Sequence, residues 1–562
     1  MSPAHPAHAR PHRPLWLLAL TLLALVFPAA PTRADDRFDQ AVRLIRRTNG
    51  PILDADSQLA VLALRQLKDP ELTPLLTAWT QAKNPFVHIN GILGLGEVSQ
   101  SRKVDIWKLA QVTDPTALAR ALTEAIEADL IDADGLRQLA ASPDVDFVVR
   151  STLWIILASR GEPVTPEDIA PIIAPDVPQA ARVGAALLLV HLGKPEGTDA
   201  ILKELDELPP AFRESAVGAL LETLWNYPLA GTSGWVEAQL ARTDNTAPLR
   251  FAAIAALLRL NTPAGEARWI EAYANFPDSP GQRVRYVRAL LDVARDVNPA
   301  TFAPAAADSV PLVAALGKMG QAIAAGGSGL DEALALVRLH HGAATDWIAN
   351  YARDLTDTAT AAKVLSAIIE DSMVDGPALD ERVAAASLAA DKLMSLNSDG
   401  PVLVRNLLQT ALQTQRRLTE EAILSGVLKS LNPLQLTLLD VGGAGPAPWS
   451  STRAASLAIL IRARYSPTLD PADLNALALV FKGAGNVSPV TETQAAWLYL
   501  KHTGQTGQAL AAILADDDEP ADAKTDTNGA PADPARESPA DKNQAPDGAG
   551  KNENGGPGGG GG

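Results

Sequence analysis

Apolar residues recur three and four positions apart in blocks of about a dozen, and glycine, asparagine or proline closes each block. In residues 181–202, Val183, Ala186, Leu187, Leu189, Val190 and Leu192 make a broad stripe at helical spacing. Gly193 then supplies the left-handed residue that ends a helix, and Pro195 prevents its resumption. One such helix cannot bury its own apolar face, so it needs neighbours built the same way. The chain supplies them at 57–67, 86–95, 116–128, 147–160, 214–225 and 249–260. The stops at Gly96, Gly161, Gly193, Asn226 and Asn261 lie 65, 32, 33 and 35 residues apart. Since 65 is two periods, the repeat is 32 to 35 residues long, the size of a helix pair.

First helices of the pairs read at 166–174, 198–208, 233–242 and 264–275. Pro143-Asp144, Pro175-Asp176 and Pro277-Asp278 mark turns in which proline breaks one helix and aspartate is expected to cap the next. On top of the period, an aspartate precedes an arginine by six residues at Asp114/Arg120, Asp144/Arg150, Asp176/Arg182 and Asp244/Arg250. The expectation is a structural ladder, with each guanidinium reaching its own aspartate or that of the adjacent repeat. Arginines so close to aspartates are poor candidates for a row that recognises an anion.

Three phrases carry the pattern most fully: PDVDFVVRSTLWIILASRG, PDVPQAARVGAALLLVHLGKPEG and APLRFAAIAALLRLNTPAG. Each has a turn Pro or Asp, then Arg, then the apolar stripe. They resemble HEAT repeats, especially the short HEAT-like units of phycobilisome lyases, most strongly over residues 36–298. The resemblance implies an all-α chain folded as an α-solenoid, a right-handed superhelix of about fourteen helix pairs with second helices along the concave side. It implies a binding scaffold and no particular activity.

Residues 35–298 thus form the regular repeats. Residues 299–330 are rich in Ala and Gly with a weakened stripe, and read as an irregular repeat or a hinge. Degenerate pairs continue over 331–515, where His502-Thr503-Gly504 echoes His191-Leu192-Gly193. The insertion VGGAGPAPW at 441–449 reads as an exposed loop. From Asp516 to the end there is no Leu, Ile, Val or aromatic residue, so 516–562 reads as a disordered acidic tail rich in Gly and Pro.

The N-terminal residues change the picture of where the chain works. Arg10 and Arg13 precede an apolar run at 15–27 broken only by Thr21, and Thr32-Arg33-Ala34 places small residues where a signal peptidase reads. Residues 1–34 are therefore expected to be a signal peptide cleaved near Ala34, which makes the protein exported, periplasmic or secreted, with no transmembrane span in the mature chain. Loss of Arg10, Arg13 and Arg33 would take the formal charge from −17 to −20, which disfavours nucleic acid as a partner. Zero cysteines exclude disulfides, thiolate metal sites and a lipoprotein anchor.

Candidate chemistry is sparse. His340 and His341 are adjacent and face about 100° apart on a helix, unlike an i, i+4 metal pair. His191 and His502 occupy equivalent helix ends and read as structural. No G-x-S-x-G elbow is present, and GILGLG at 91–96 reads as close helix packing. No catalytic, cofactor or metal residue is assigned. Most tryptophans fall in apolar stripes, while Trp449, in the Gly/Pro insertion, is the candidate for an exposed contact. The expected function is a non-catalytic scaffold of the cell envelope that holds a peptide, protein or polymer along a groove. The alternative is an enzyme or ligand carrier with a site between repeats near 299–350.

Overall fold

The structure, a computed structural model, describes residues 34–50, 53–112, 114–260, 263–275, 279–339, 342–353, 355, 357–396, 399–429 and 449–515. Residues 1–33 of the expected signal peptide, Pro277, Asp278, the His340-His341 pair, most of the 441–449 insertion and the acidic tail fall outside them. The chain divides into two units, Met1–Asp517 and Asp518–Gly562, and the described residues belong to the first.

Those residues form 28 α-helices and no strand. They run α1 (Ala34–Arg46), α2 (Ala55–Leu67), α3 (Thr73–Trp79), α4 (Pro85–Val98), α5 (Ile106–Ala110), α6 (Pro115–Glu127), α7 (Ala133–Ala141), α8 (Phe147–Ser159), α9 (Pro166–Ile169) and α10 (Gln179–His191). Next come α11 (Thr198–Asp206), α12 (Pro210–Asn226), α13 (Ser233–Ala241), α14 (Ala247–Arg259), α15 (Pro263–Ala274), α16 (Pro280–Leu291), α17 (Ala303–Ala306), α18 (Pro311–Ala324) and α19 (Leu330–Val337). The last are α20 (Gly342–Arg353), α21 (Thr358–Asp371), α22 (Leu379–Leu396), α23 (Gly400–Gln413), α24 (Arg417–Lys429), α25 (Thr452–Tyr465), α26 (Pro471–Val480), α27 (Pro489–His502) and α28 (Thr506–Ala515).

Local chemistry sets the boundaries. Proline opens α4, α6, α12, α16, α18, α26 and α27, where its missing N–H costs nothing. Gly161, Gly193 and Gly504 adopt φ of +76°, +69° and +70°, the left-handed stops read from the sequence. Gly96 is different: α4 runs past it to Val98. The aspartates of the Pro-Asp turns also act differently. Asp144 lies three residues ahead of α8, whose cap is Asp146, accepting from the Val148 N–H at 2.8 Å. Pro178 holds the corresponding place before α10.

Second helices pack on second helices. The order is α2, α4, α6, α8, α10, then α12, α14, α16, α18, then α20, α22, α24, α25, α27. Between α10 and α12 the turn Ala230–Thr232 packs on α10. The 299–330 segment is a shortened pair, α17 and α18, with Phe302 and Met319 fully buried and α18 packed on α16 and α19.

The stack then closes on itself. Helix α27 packs on α2 as well as on α25, and α28 packs on α1 and α3. One hydrophobic cluster joins Ala41, Ile45, Leu64 and Leu76 to Leu460, Trp497 and Ile513. At this seam Asp69 accepts from Trp497 Nε1 at 3.0 Å and Lys501 Nζ at 2.7 Å. Gln494 donates to the Ala63 carbonyl at 3.1 Å, and Thr506 donates to Glu71 at 2.8 Å. No described helix is long and apolar enough to cross a membrane.

Candidate functional site

Helix α16 carries the sequence PGQRVRYVRALL. Tyr286, Val287, Leu290 and Leu291 are buried, while Gln282 and Arg285 are exposed and Arg288 is half-buried. Gln282, Arg285, Arg288 and Asp292 are spaced three or four apart, so they share one face.

Three cavities follow that face. The first, about 470 Å³, lies among the ends of α13 and α15 and the first turns of α14 and α16. Leu240, Phe251, Ile254 and Tyr286 form its apolar side; Arg250, Arg268, Arg285, Glu237 and Glu271 form its polar side. The second, about 640 Å³, crosses α12, α14 and α16, and Gly218, Ala252, Ala255 and Ala289 line it. Such small side chains at packing positions leave volume that larger ones would fill. The third, about 330 Å³, lies at the end of α16 beside Ile323, Trp347 and Tyr351. Pro248, Phe251 and Arg285 border both the first and second cavities, and Asp292 borders the second and third. The three cavities therefore adjoin one another along α16.

Its polar groups are held by specific contacts. The Arg285 guanidinium sits 5.3 Å over the Phe251 ring, whose centroid is 4.7 Å from that of Tyr286 at 53°. Arg268 pairs with Glu271 at 2.7 Å, and Arg250 donates to the Thr243 carbonyl at 3.1 Å. Burial pushes the Tyr286 hydroxyl up, and the charges of Arg250 and Arg285 pull it back down. Asp292 accepts from Trp347 Nε1 at 3.1 Å; burial pushes its carboxyl up, against that bond and the charges of Arg288 and Arg259. Trp347 stacks on Tyr351, centroids 5.4 Å apart at 9°. This arrangement offers hydrogen bonds, ion pairs and aromatic surface to a bound molecule.

The residues singled out in the sequence fall elsewhere or act otherwise. Arg150 donates to the Ala140 carbonyl at 2.9 Å and sits 5.3 Å over Phe147. Arg182 donates to the Val177 carbonyl at 3.1 Å and pairs with Glu204 at 2.7 Å. Arg120 pairs with Glu124 at 3.3 Å, while Asp114 caps α6 by accepting from the Ala117 N–H at 3.3 Å. Arg250 points at the carbonyl of Thr243 and lines the first cavity. Asp144 and Asp176 lie in their turns ahead of α8 and α10. Asp244 does join neighbouring repeats, but through Arg213 at 2.7 Å and Arg242 at 3.2 Å.

A ladder therefore exists with other rungs, about one period apart. Arg65 reaches Glu97 at 3.1 Å, Arg213 reaches Asp244, Arg242 reaches Asp206 at 3.1 Å, Thr246 reaches Glu214 at 2.6 Å, and Ser451 reaches Glu421 at 2.6 Å. A search for polar pairs 30 to 36 apart would have found them. Trp449 is half-buried against the core rather than exposed, and among the described residues the tryptophan that stands in solvent is Trp107, 57% exposed. His191 accepts from the Gly231 N–H at 3.4 Å, and burial pushes its imidazole down. Residues 91–96 pack closely, as read: a Cβ on Gly91 would stand 2.8 Å from Trp79 Cβ.

No family model matches the chain, and no solved structure matches it. Over 140 residues it is 36% identical to the bifunctional purine biosynthesis protein PurH of Paracoccus denitrificans (strain Pd 1222). The aligned stretch covers 22% of this chain and 26% of that protein, so the chain spans about a quarter of the length of the relative it matches.

Proposed function

We propose that the protein is a non-catalytic interaction scaffold: an exported, HEAT-like, right-handed α-solenoid closed end to end, which holds a polypeptide along α16. The row of adjoining cavities along α16 carries this reading. Three cavities joined by shared walls suit an extended chain better than a single compact ligand. The length of α16, about 18 Å at 1.5 Å per residue, matches about five residues of extended peptide. Small residues in the middle and aromatic groups at both ends give room for alternate side chains to enter.

The test places a photo-crosslinking amino acid at Ala252 or Ala289 in the groove, and at Glu381 on α22, in the full chain expressed in its own cell envelope. The scaffold reading expects a polypeptide adduct at the groove positions only. Equal adducts at all three sites, or none at Ala252 and Ala289, would count against it. The second reading, a ligand carrier or enzyme with a site between repeats, draws on the third cavity, where Asp292 accepts from Trp347 beside the Trp347–Tyr351 stack.

A further inference from the structure

We propose that the first cavity is a binding site for a single carboxylate carried on an apolar body. The site goes beyond the scaffold reading and stands without it. Its floor is apolar and aromatic, with Phe251, Ile254 and Tyr286 presented to about 470 Å³ of open space. That volume falls within the range of about 300 to 1,000 Å³ usual for small-ligand sites.

Two guanidiniums mark where the charge goes. Arg285 is held over the Phe251 ring, a contact that orients the guanidinium at the mouth without neutralising it. Arg250 keeps one bond, to the Thr243 carbonyl, and its planar fork has further N–H groups to give. Both side chains line the cavity, and both charges act on the Tyr286 hydroxyl. The first turns of α14 and α16 line the same cavity, and neither has a side chain capping it: the Thr246 hydroxyl is turned to Glu214 instead, and Ser279 makes no cap bond. Two helix starts add their partial positive charge there.

The acidic neighbours limit what can bind. Glu271 is spent on Arg268, but Glu237 stands exposed at the rim. A dianion such as phosphate would be repelled by that carboxylate about twice as strongly as a monoanion at the same place. A planar carboxylate also fits the fork of an arginine better than a spherical charge does.

Free aromatic acids and the C-terminal residue of a peptide share this chemistry, so the experiment has two arms. Indole-3-propionate and its amide are titrated calorimetrically into the full chain, and so is acetyl-Gly-Ala-Leu-Phe with a free or an amidated C-terminus. The acid is expected to bind at least about tenfold more tightly than its amide, about the effect of one charge-assisted bond. Arg285→Gln should remove that preference. Arg120→Gln, on an exposed residue of α6, should leave it intact. Binding of the peptide acid joins this site to the scaffold reading; binding of indole-3-propionate alone keeps the site and counts against a peptide in this part of the groove. Equal affinity for acid and amide, no effect of Arg285→Gln, or no binding of either acid at millimolar concentration would overturn the proposal.

Discussion

The seam where α27 meets α2 and the joint where α14 meets α16 are built from the same kind of helix, yet one is sealed and the other open. At the seam a fully buried Trp497 fills the space and gives its N–H to Asp69, which also takes Lys501. At the joint Gly218, Ala252, Ala255 and Ala289 leave about 640 Å³ unfilled. Small residues do not by themselves open a gap. Between α22 and α24 the helices close over Gly426, where an added Cβ would stand 2.1 Å from the Ser387 carbonyl oxygen. What differs is whether neighbouring backbone comes close: it does at Gly426, whereas the atom nearest a Cβ on Gly218 is Leu249 Cδ2 at 3.9 Å. Closure fixes the repeats, and the joint is where that fixed frame has room.

The largest effect should come from breaking the seam. Trp497→Ala removes a side chain with no exposure and leaves a cavity, at a cost of about 3 to 5 kcal/mol, read as a fall in urea midpoint. Asp69→Ala strips the acceptor from both Trp497 and Lys501 and the cap from the Glu71 N–H, for about 1 to 3 kcal/mol by the same measurement. If Asp69→Ala were neutral, the seam would rest on apolar packing alone.

Glycines sharpen the comparison next. Gly426→Ala forces a methyl group into the Ser387 backbone and should destabilise by about 1 to 3 kcal/mol. Gly218→Ala, whose nearest neighbour is Leu249 Cδ2 at 3.9 Å, should stabilise by about 0.4 to 1 kcal/mol, since helix propensity rises with nothing in the way. Melting temperatures moving in the same direction for the two variants would remove the distinction between closed and open helix contacts.

The smallest effect is set by pH. Hydrogen bonds from Arg242 and then Arg213 hold the Asp244 carboxyl well below the usual carboxylate range. The folded value lies below the unfolded one, so the contribution is full above about pH 4 and fades as pH falls further. Asp244→Asn should be less stable than the native chain at neutral pH, and the difference should vanish in acid. A gap that stayed constant down to low pH would show that this carboxylate does not link its repeats.

Helix positions, the period and the left-handed stops at Gly161, Gly193 and Gly504 were legible because they depend on neighbours within a few residues. The polar rungs were only half legible. Arg150 and Arg182, six residues after an aspartate, are the fourth residues of their helices, where the side chain reaches back to the Ala140 and Val177 carbonyls. Carboxylates one period away take the ion pairs instead, as Glu97 does with Arg65. Closure left no mark in the sequence. Asp69 and Trp497 are 428 residues apart, and no periodicity links them. The groove was hidden for a related reason: Gly218, Ala252 and Ala289 read as ordinary small residues of a stripe, and only the spacing of the finished helices makes them its wall.

Hydrogen exchange of the full chain carrying Trp497→Ala tests closure most directly. In an open array, damage at one end stays with its nearest neighbours. A closed stack should lose protection in α27 and, with it, in α1 and α2 at the other end of the sequence, while α8 to α12 keep theirs. Faster exchange confined to α25 through α28, with α1 and α2 as protected as before, would contradict it.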